Sequence, residues 1–162
     1  MNQQLIIVDG PDNTGKDTAI VDILTQFPNA VVRQFVGTDK MGVEALKYQT
    51  TLYKDFIDLL SSPTSPEVII CNRCWVGEMV YGPLYRNEDY VACATMVFDM
   101  FDNIPTDISV KYIYLTAPVN FLVSNDDGLS LSNASSDLIS VELQTFDTAF
   151  DMLGKKDTIK NL

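Results

Sequence analysis

Residues 10–18, GPDNTGKDT, bring two glycines, a lysine, two carboxylates and two hydroxyls into one short loop. The spacing Gly10-x4-Gly15-Lys16 suits the gripping of a phosphate. Gly10 allows a tight turn, Gly15 lets the backbone approach an anion closely, and a helix beginning there aims its N–H groups at it. Lys16 would set a positive charge against the β- and γ-phosphates of a triphosphate. The flanks agree: Leu5, Ile6, Ile7 and Val8 form a buried-strand run before the loop, and residues 18–27 read as a helix after it. A chance glycine-rich turn is the bland alternative, and the strand-loop-helix setting argues against it. Asp17 stands where a Ser or Thr hydroxyl usually ligates Mg²⁺, with Thr18 one step later.

The other chemistry-bearing residues are few. The chain has no histidine and three cysteines. Cys71 and Cys74 have C-x-x-C spacing, but a zinc site needs more Cys or His ligands, and Cys93 alone is left. Small buried thiols at a strand end are the simpler reading. Arg33, Arg73 and Arg86 are the only arginines.

The elements that must position these residues follow a βαβ rhythm. Strands are expected at 5–8, 30–35, 68–71, 111–115 and, weakly, 158–162. Helices are expected at 15–27, 43–61, 75–101 with a break near Gly82-Pro83, and 135–153, with a short helical turn after Pro118. This predicts a three-layer α/β phosphate-loop domain with a mostly parallel five-stranded sheet and nucleotide at the C-terminal strand edge. Residues 124–137, SNDDGLSLSNASSD, are polar and read as a mobile, lid-like loop.

Composition bounds the function. The 162 residues suit a single domain; 46% hydrophobic residues can fill its core, and 20% charged residues give an ordinary surface. A net charge of −11 argues against holding duplex DNA or an anionic membrane, but not against a small phosphate ligand. No apolar run suits a signal peptide or a membrane span, so a cytoplasmic protein is expected, in the host cytoplasm if phage-encoded.

Two further segments, 33–42 (RQFVGTDKMG) and 72–86 (NRCWVGEMVYGPLYR), stand after the second and third strands. With the loop at 10–18 and the strand Tyr112-Ile-Tyr-Leu-Thr-Ala-Pro118, they make the chain resemble the thymidylate kinase-like deoxynucleoside monophosphate kinases. The phage-type branch, which often reads D-R-x4-E-x-V-Y-G, is most similar. The resemblance implies a nucleoside triphosphate and a deoxynucleoside monophosphate as ligands, with ATP and Mg²⁺ as donor and cofactor. Gly10, Asn13, Thr14, Gly15, Lys16, Asp17 and Thr18 would hold the donor, and Lys16, Asp12 and Arg73 would form the catalytic set. Arg73 matches the arginine that grips the acceptor phosphate, where a guanidinium fork suits an oxyanion. Asp12 would accept from the sugar 3′-hydroxyl. Arg33, Phe35 and Arg86 would lie on the acceptor side. Tyr81 and Trp75 would either stack on the base or pack in the core. Asp9, Asp17 and Thr18 are the metal-side candidates. Family members commonly dimerise through helices beside the sheet; residues 90–101 suit such a homodimer face or a core helix equally well.

Three departures bear on phosphoryl transfer. Asn72 replaces the aspartate of D-R, Asp17 replaces the metal-binding hydroxyl, and residues 124–137 contain no basic side chain. Asp17 could take over a metal role that Asn72 has lost. An arginine that neutralises transition-state charge is worth several powers of ten in rate, and Lys40 or Arg86 is the candidate substitute. Three functions therefore remain: transfer of the ATP γ-phosphoryl group to dTMP or a related, modified deoxynucleotide; non-catalytic nucleotide binding or sequestering; and phosphorylation of a hydroxymethylated base in DNA. The −11 charge opposes the last.

Overall fold

The computed structural model describes residues 2–154 and the backbone of 157–160. In chain order its elements are β1 (Gln4–Asp9), α1 (Lys16–Gln26), β2 (Val31–Gln34), α2 (Gly42–Leu60), β3 (Val68–Asn72), a 3₁₀ turn (Trp75–Gly77), α3 (Glu78–Tyr85), α4 (Tyr90–Asp102), β4 (Ser109–Thr116), α5 (Val119–Ser124), α6 (Ser136–Met152) and β5 (Asp157–Lys160). The five strands lie in the order β2-β3-β1-β4-β5, and every pairing is parallel.

Alternation along the strands explains the layers. Leu5 and Ile7 of β1, Ile69 and Cys71 of β3, and Tyr112 and Tyr114 of β4 face one side, where α2, α3, α4 and α6 pack on them. Ile6, Val8, Ile70, Ile113 and Leu115 face the other side and meet α1 through Ile20, Ile23 and Leu24. A sheet buried on both faces needs the near-continuous apolar runs seen in β1, β3 and β4. The exposed edge strand β2 is only four residues long, which limits its unpaired edge.

Two expectations need correction. The helix expected over 75–101 does not break at Gly82-Pro83; Pro83 lies inside α3. The break falls at 86–89. The Gly82 carbonyl accepts the N–H groups of Arg86 and Glu88, at 3.0 and 3.2 Å, and Asn87 turns left-handed at φ 54°. Asp89 then caps α4 by accepting the Ala92 N–H at 2.8 Å. Asn87 and Asp89 were the signal in the sequence. The last strand begins one residue earlier than expected, at Asp157, and residues 161–162 of that expectation lie outside the described residues. Among the described residues no helix is long and apolar enough to cross a membrane.

The loops after β1, β2 and β3 all leave the sheet at its C-terminal edge. There they meet residues 125–135, which join α5 to α6.

Candidate active site

The loop after β1 is shaped by its glycines. Gly10 sits at φ 144°, and a Cβ there would stand 2.2 Å from the Leu115 carbonyl oxygen of β4. Only glycine lets β1 turn out of the sheet at this point. Asn13 and Gly15 adopt φ 64° and 86°, so successive N–H groups curl towards one point at the start of α1. Buried Asp9 fastens the loop: its carboxylate accepts the Gly10 N–H at 2.9 Å and the Cys74 N–H at 3.2 Å. Burial raises the Asp9 pKa against the pull of those donors and of Arg73 and Lys16. The Thr14 hydroxyl donates to the Pro11 carbonyl at 2.8 Å.

Lys16 bends back over this loop and donates to the carbonyls of Gly10 and Pro11, at 3.0 and 2.5 Å. Burial lowers its pKa to about 8; Arg73 adds to the effect, while Asp12, Asp9 and Asp17 oppose it. An arriving phosphate would offer the ammonium stronger acceptors than two neutral carbonyls.

Arg73 follows β3 with φ 66°, a conformation costly for a residue with a side chain. Its N–H donates to the Val8 carbonyl at 2.9 Å, which fixes the turn and aims the side chain over the loop. The guanidinium pairs with Asp12 and lies 5.7 Å from the centroid of the Tyr81 ring. Burial alone would lower its pKa, but Tyr81, Asp12 and Asp9 outweigh that and keep it charged.

Two of the departures noted in the sequence touch each other. The Asn72 amide donates to Asp17 and to Gln34, at 2.8 Å each. Its own oxygen is buried with no hydrogen-bond partner among the described residues. Asp17 and Thr18 are exposed at the first turn of α1. A carboxylate beside a phosphate cradle repels the ligand unless a cation lies between them. These oxygen donors fit Mg²⁺, which takes few protein ligands and completes its shell with water and phosphate. Asp9, by contrast, already accepts two backbone N–H groups. No cluster of three or more Cys, Asp or Glu side chains suited to a metal occurs among the described residues.

Two clefts open along this edge. The first, about 610 Å³, is lined by the loop from Asp12 to Thr18 and by Gln34, Asn72 and Arg73, and is closed by Phe121, Asn125, Asp127, Leu129 and Ser130. The second, about 570 Å³, runs from Asp9, Asp12 and Arg73 between the segment 34–41 and α3, past Phe35, Tyr53, Glu78, Tyr81, Tyr85 and Arg86, to Leu129 and Leu131. Asp12, Gln34, Arg73 and Leu129 border both, so the two clefts meet at the Arg73–Asp12 pair.

The structure thus gathers most of the expected site residues. Arg33 lies on exposed β2 and lines neither cleft. Trp75 is fully buried between the rings of Tyr53 and Phe101, with centroids 5.9 and 5.6 Å away; of its two readings, core packing is the one it occupies. Tyr81 is buried yet borders the second cleft, stacked at 6.0 Å on Tyr85. Sequence reasoning missed Gln34, Glu78, Glu88 and Phe121. Glu78 left a signal: a charged residue opening the otherwise apolar run that α3 buries.

No family model matches the chain, and no curated protein matches it in sequence. Solved structures do. Thymidylate kinase from Candida albicans superposes with a TM-score of 0.70 at 11% identity, covering 98% of this chain and 84% of that one. YorR from Bacillus subtilis, in complex with phosphorylated GDP, gives 0.67 at 17%, covering 97% and 84%. Deoxyadenosine kinase from M. mycoides, with dCMP and a flexible dCDP bound, gives 0.59 at 14%, covering 98% and 90%. This is the nucleotide kinase fold. At these identities the likeness establishes architecture alone; both clefts of this chain lie at the C-terminal edge of the sheet, where open α/β sheets hold their ligands.

Proposed function

We propose that the protein is a deoxynucleoside monophosphate kinase that transfers the γ-phosphoryl group of ATP, with Mg²⁺, to dTMP or a related deoxynucleotide. The observation that carries this reading is the meeting of two clefts at Arg73 and Asp12. Phosphoryl transfer needs donor and acceptor phosphates held in line, and its catalysis is mainly positioning and charge. The loop amides and Lys16 hold the triphosphate in the first cleft. Arg73 swings from Asp12 to the acceptor phosphate at the junction, which frees Asp12 to accept from the sugar 3′-hydroxyl. Phe35 and Tyr81 flank the nucleoside in the second cleft. Mg²⁺ would neutralise phosphate charge when bound; Asp17 and Thr18 would hold it, with the Asn72 amide orienting Asp17.

A non-catalytic nucleotide binder is the second reading. It is favoured by the donor cleft, where Lys16 and Arg73 are the only cations among the lining residues. Residues 124–137 supply none. Mg²⁺-dependent formation of ADP from ATP, stimulated by a deoxynucleoside monophosphate, tests the first reading. Nucleotide binding without ADP formation would establish the second.

A further inference from the structure

Charge on a phosphoryl group in transfer needs donors where the two clefts meet, and the sequence suggests Lys40 or Arg86 for that task. Neither can meet it. Lys40 lines neither cleft, and its ammonium lies 5.9 Å from the centroid of the Tyr48 ring. Arg86 is only 5% exposed; its Nη2 pairs with Glu78, and its Nε donates to Glu88 at 2.8 Å. Two carboxylates around one guanidinium leave that cluster no net positive charge to offer a phosphate. Arg86 is therefore not a substitute transition-state cation, which corrects the expectation from sequence.

Gln34 stands where such a group is needed. It ends β2, is exposed, and borders both clefts together with Asp12 and Arg73. Its hydrogen bonding decides which end of its amide is free. The Asp17 carboxylate can only accept, so Asn72 must turn its amide nitrogen to it. That nitrogen donates to Asp17 and to Gln34, at 2.8 Å each. Gln34 must therefore present its oxygen to Asn72. The Asn72 oxygen is stranded in this arrangement, so Asp17 sets the orientation and the needs of Asn72 do not. What remains of the Gln34 amide is Nε2, which donates to no other group among the described residues. An N–H of this kind bonds well to a charged phosphate oxygen, and acceptance from Asn72 at the other end polarises the amide and strengthens it as a donor.

We propose that Gln34, oriented by Asn72 and Asp17, donates its amide N–H to the γ-phosphoryl group at the junction of the clefts, a neutral catalytic residue in a place that lacks a cation. This inference rests on the kinase reading of the two clefts. The γ-phosphorus bonds to an oxygen of the acceptor phosphate as its bond to the β,γ-bridging oxygen breaks and ADP leaves. Gln34 neither gains nor loses a proton; it holds the oxygens of the group that moves.

Gln34→Glu separates this role from a structural one. The new carboxylate still accepts from Asn72, but it turns an anion to the clefts in place of a donor. Calorimetry in Mg²⁺ with a non-hydrolysable ATP analogue and, separately, with ADP reads the contact. The variant should bind the analogue more weakly by about tenfold or more. Its affinity for ADP, which has no γ-phosphoryl group, and its melting temperature should stay at the parental values. Gln34→Ala, which loses the donor without adding a charge, should fall between the two proteins. Parental affinity for the analogue in Gln34→Glu overturns the proposal, as does an equal loss for the analogue and ADP. If the parent protein binds neither nucleotide, the kinase reading itself has failed.

Discussion

The two clefts are built in opposite ways. The first cleft is built around one unbroken stretch of chain, residues 12–18, and is completed by Gln34, Asn72, Arg73 and side chains from Phe121 to Ser130. The second cleft draws on the ends of β1, β2 and β3, on α2, on α3 and on the loop before α6. A backbone cradle depends on a few glycines and one lysine, and its failure should be abrupt. A cleft assembled from separate side chains should fail by degrees.

Lys16→Ala is the sharpest test of this contrast. It removes the ammonium proposed to meet the triphosphate, and kcat/KM should fall by the equivalent of about 3 kcal/mol or more. A coupled assay on protein shown by circular dichroism to be folded would check it. Gly10→Ala should strike stability as well as binding, since its Cβ would meet the Leu115 carbonyl at 2.2 Å. A loss of about 3 kcal/mol in urea unfolding is expected; an unchanged midpoint would mean that β1 and β4 can separate there at little cost.

The contrast also governs what the sequence made legible. The phosphate loop, the parallel sheet and the position of Arg73 could be read because each rests on local spacing or strand periodicity. The Asn72–Asp17–Gln34 contact could not, because its members stand 55 and 38 residues apart and meet only when β1, β2 and β3 align. The burial of Arg86 was hidden for a similar reason. An arginine inside a family motif reads as a ligand, and only folding shows that Glu78 and Glu88 already claim it. Trp75 matched a base-contacting helix by position, yet the 3₁₀ turn sends it into the core.

Smaller effects should appear on the acceptor side. Arg73→Lys replaces a fork with a point charge; the KM for the acceptor should rise by about 1–2 kcal/mol equivalent while the KM for ATP changes little. A rise in the KM for ATP alone would place Arg73 on the ATP side. Asp17 and Asn72 should be coupled. Asp17→Ser should lower turnover, and adding Asn72→Asp should restore part of it, with an interaction of about 1 kcal/mol in a double-mutant cycle. Additive losses would mean that their hydrogen bond is incidental.

The smallest effect is one of pH. The Lys16 pKa is lowered to about 8 in the folded protein, against 10.5 as the ordinary value. The folded state thus binds fewer protons than the unfolded one between these values, and Lys16 contributes a stability that rises with pH across that window. Triphosphate binding should move the other way. It favours the ammonium, so above pH 8 it should take up a proton and weaken by at most tenfold per pH unit. Lys16→Met should abolish that proton uptake.

The central claim is that the clefts form one continuous site joined at Arg73 and Asp12. The most direct measurement is calorimetry with a bisubstrate ligand, adenosine joined to a deoxynucleoside through a polyphosphate chain long enough to span both. Linking two ligands that bind adjoining clefts makes the second contact intramolecular. The account predicts one ligand per chain, bound at least a hundredfold more tightly than ATP or the monophosphate alone. Affinity no better than that of ATP would show that the clefts do not share a junction, and the account would be wrong.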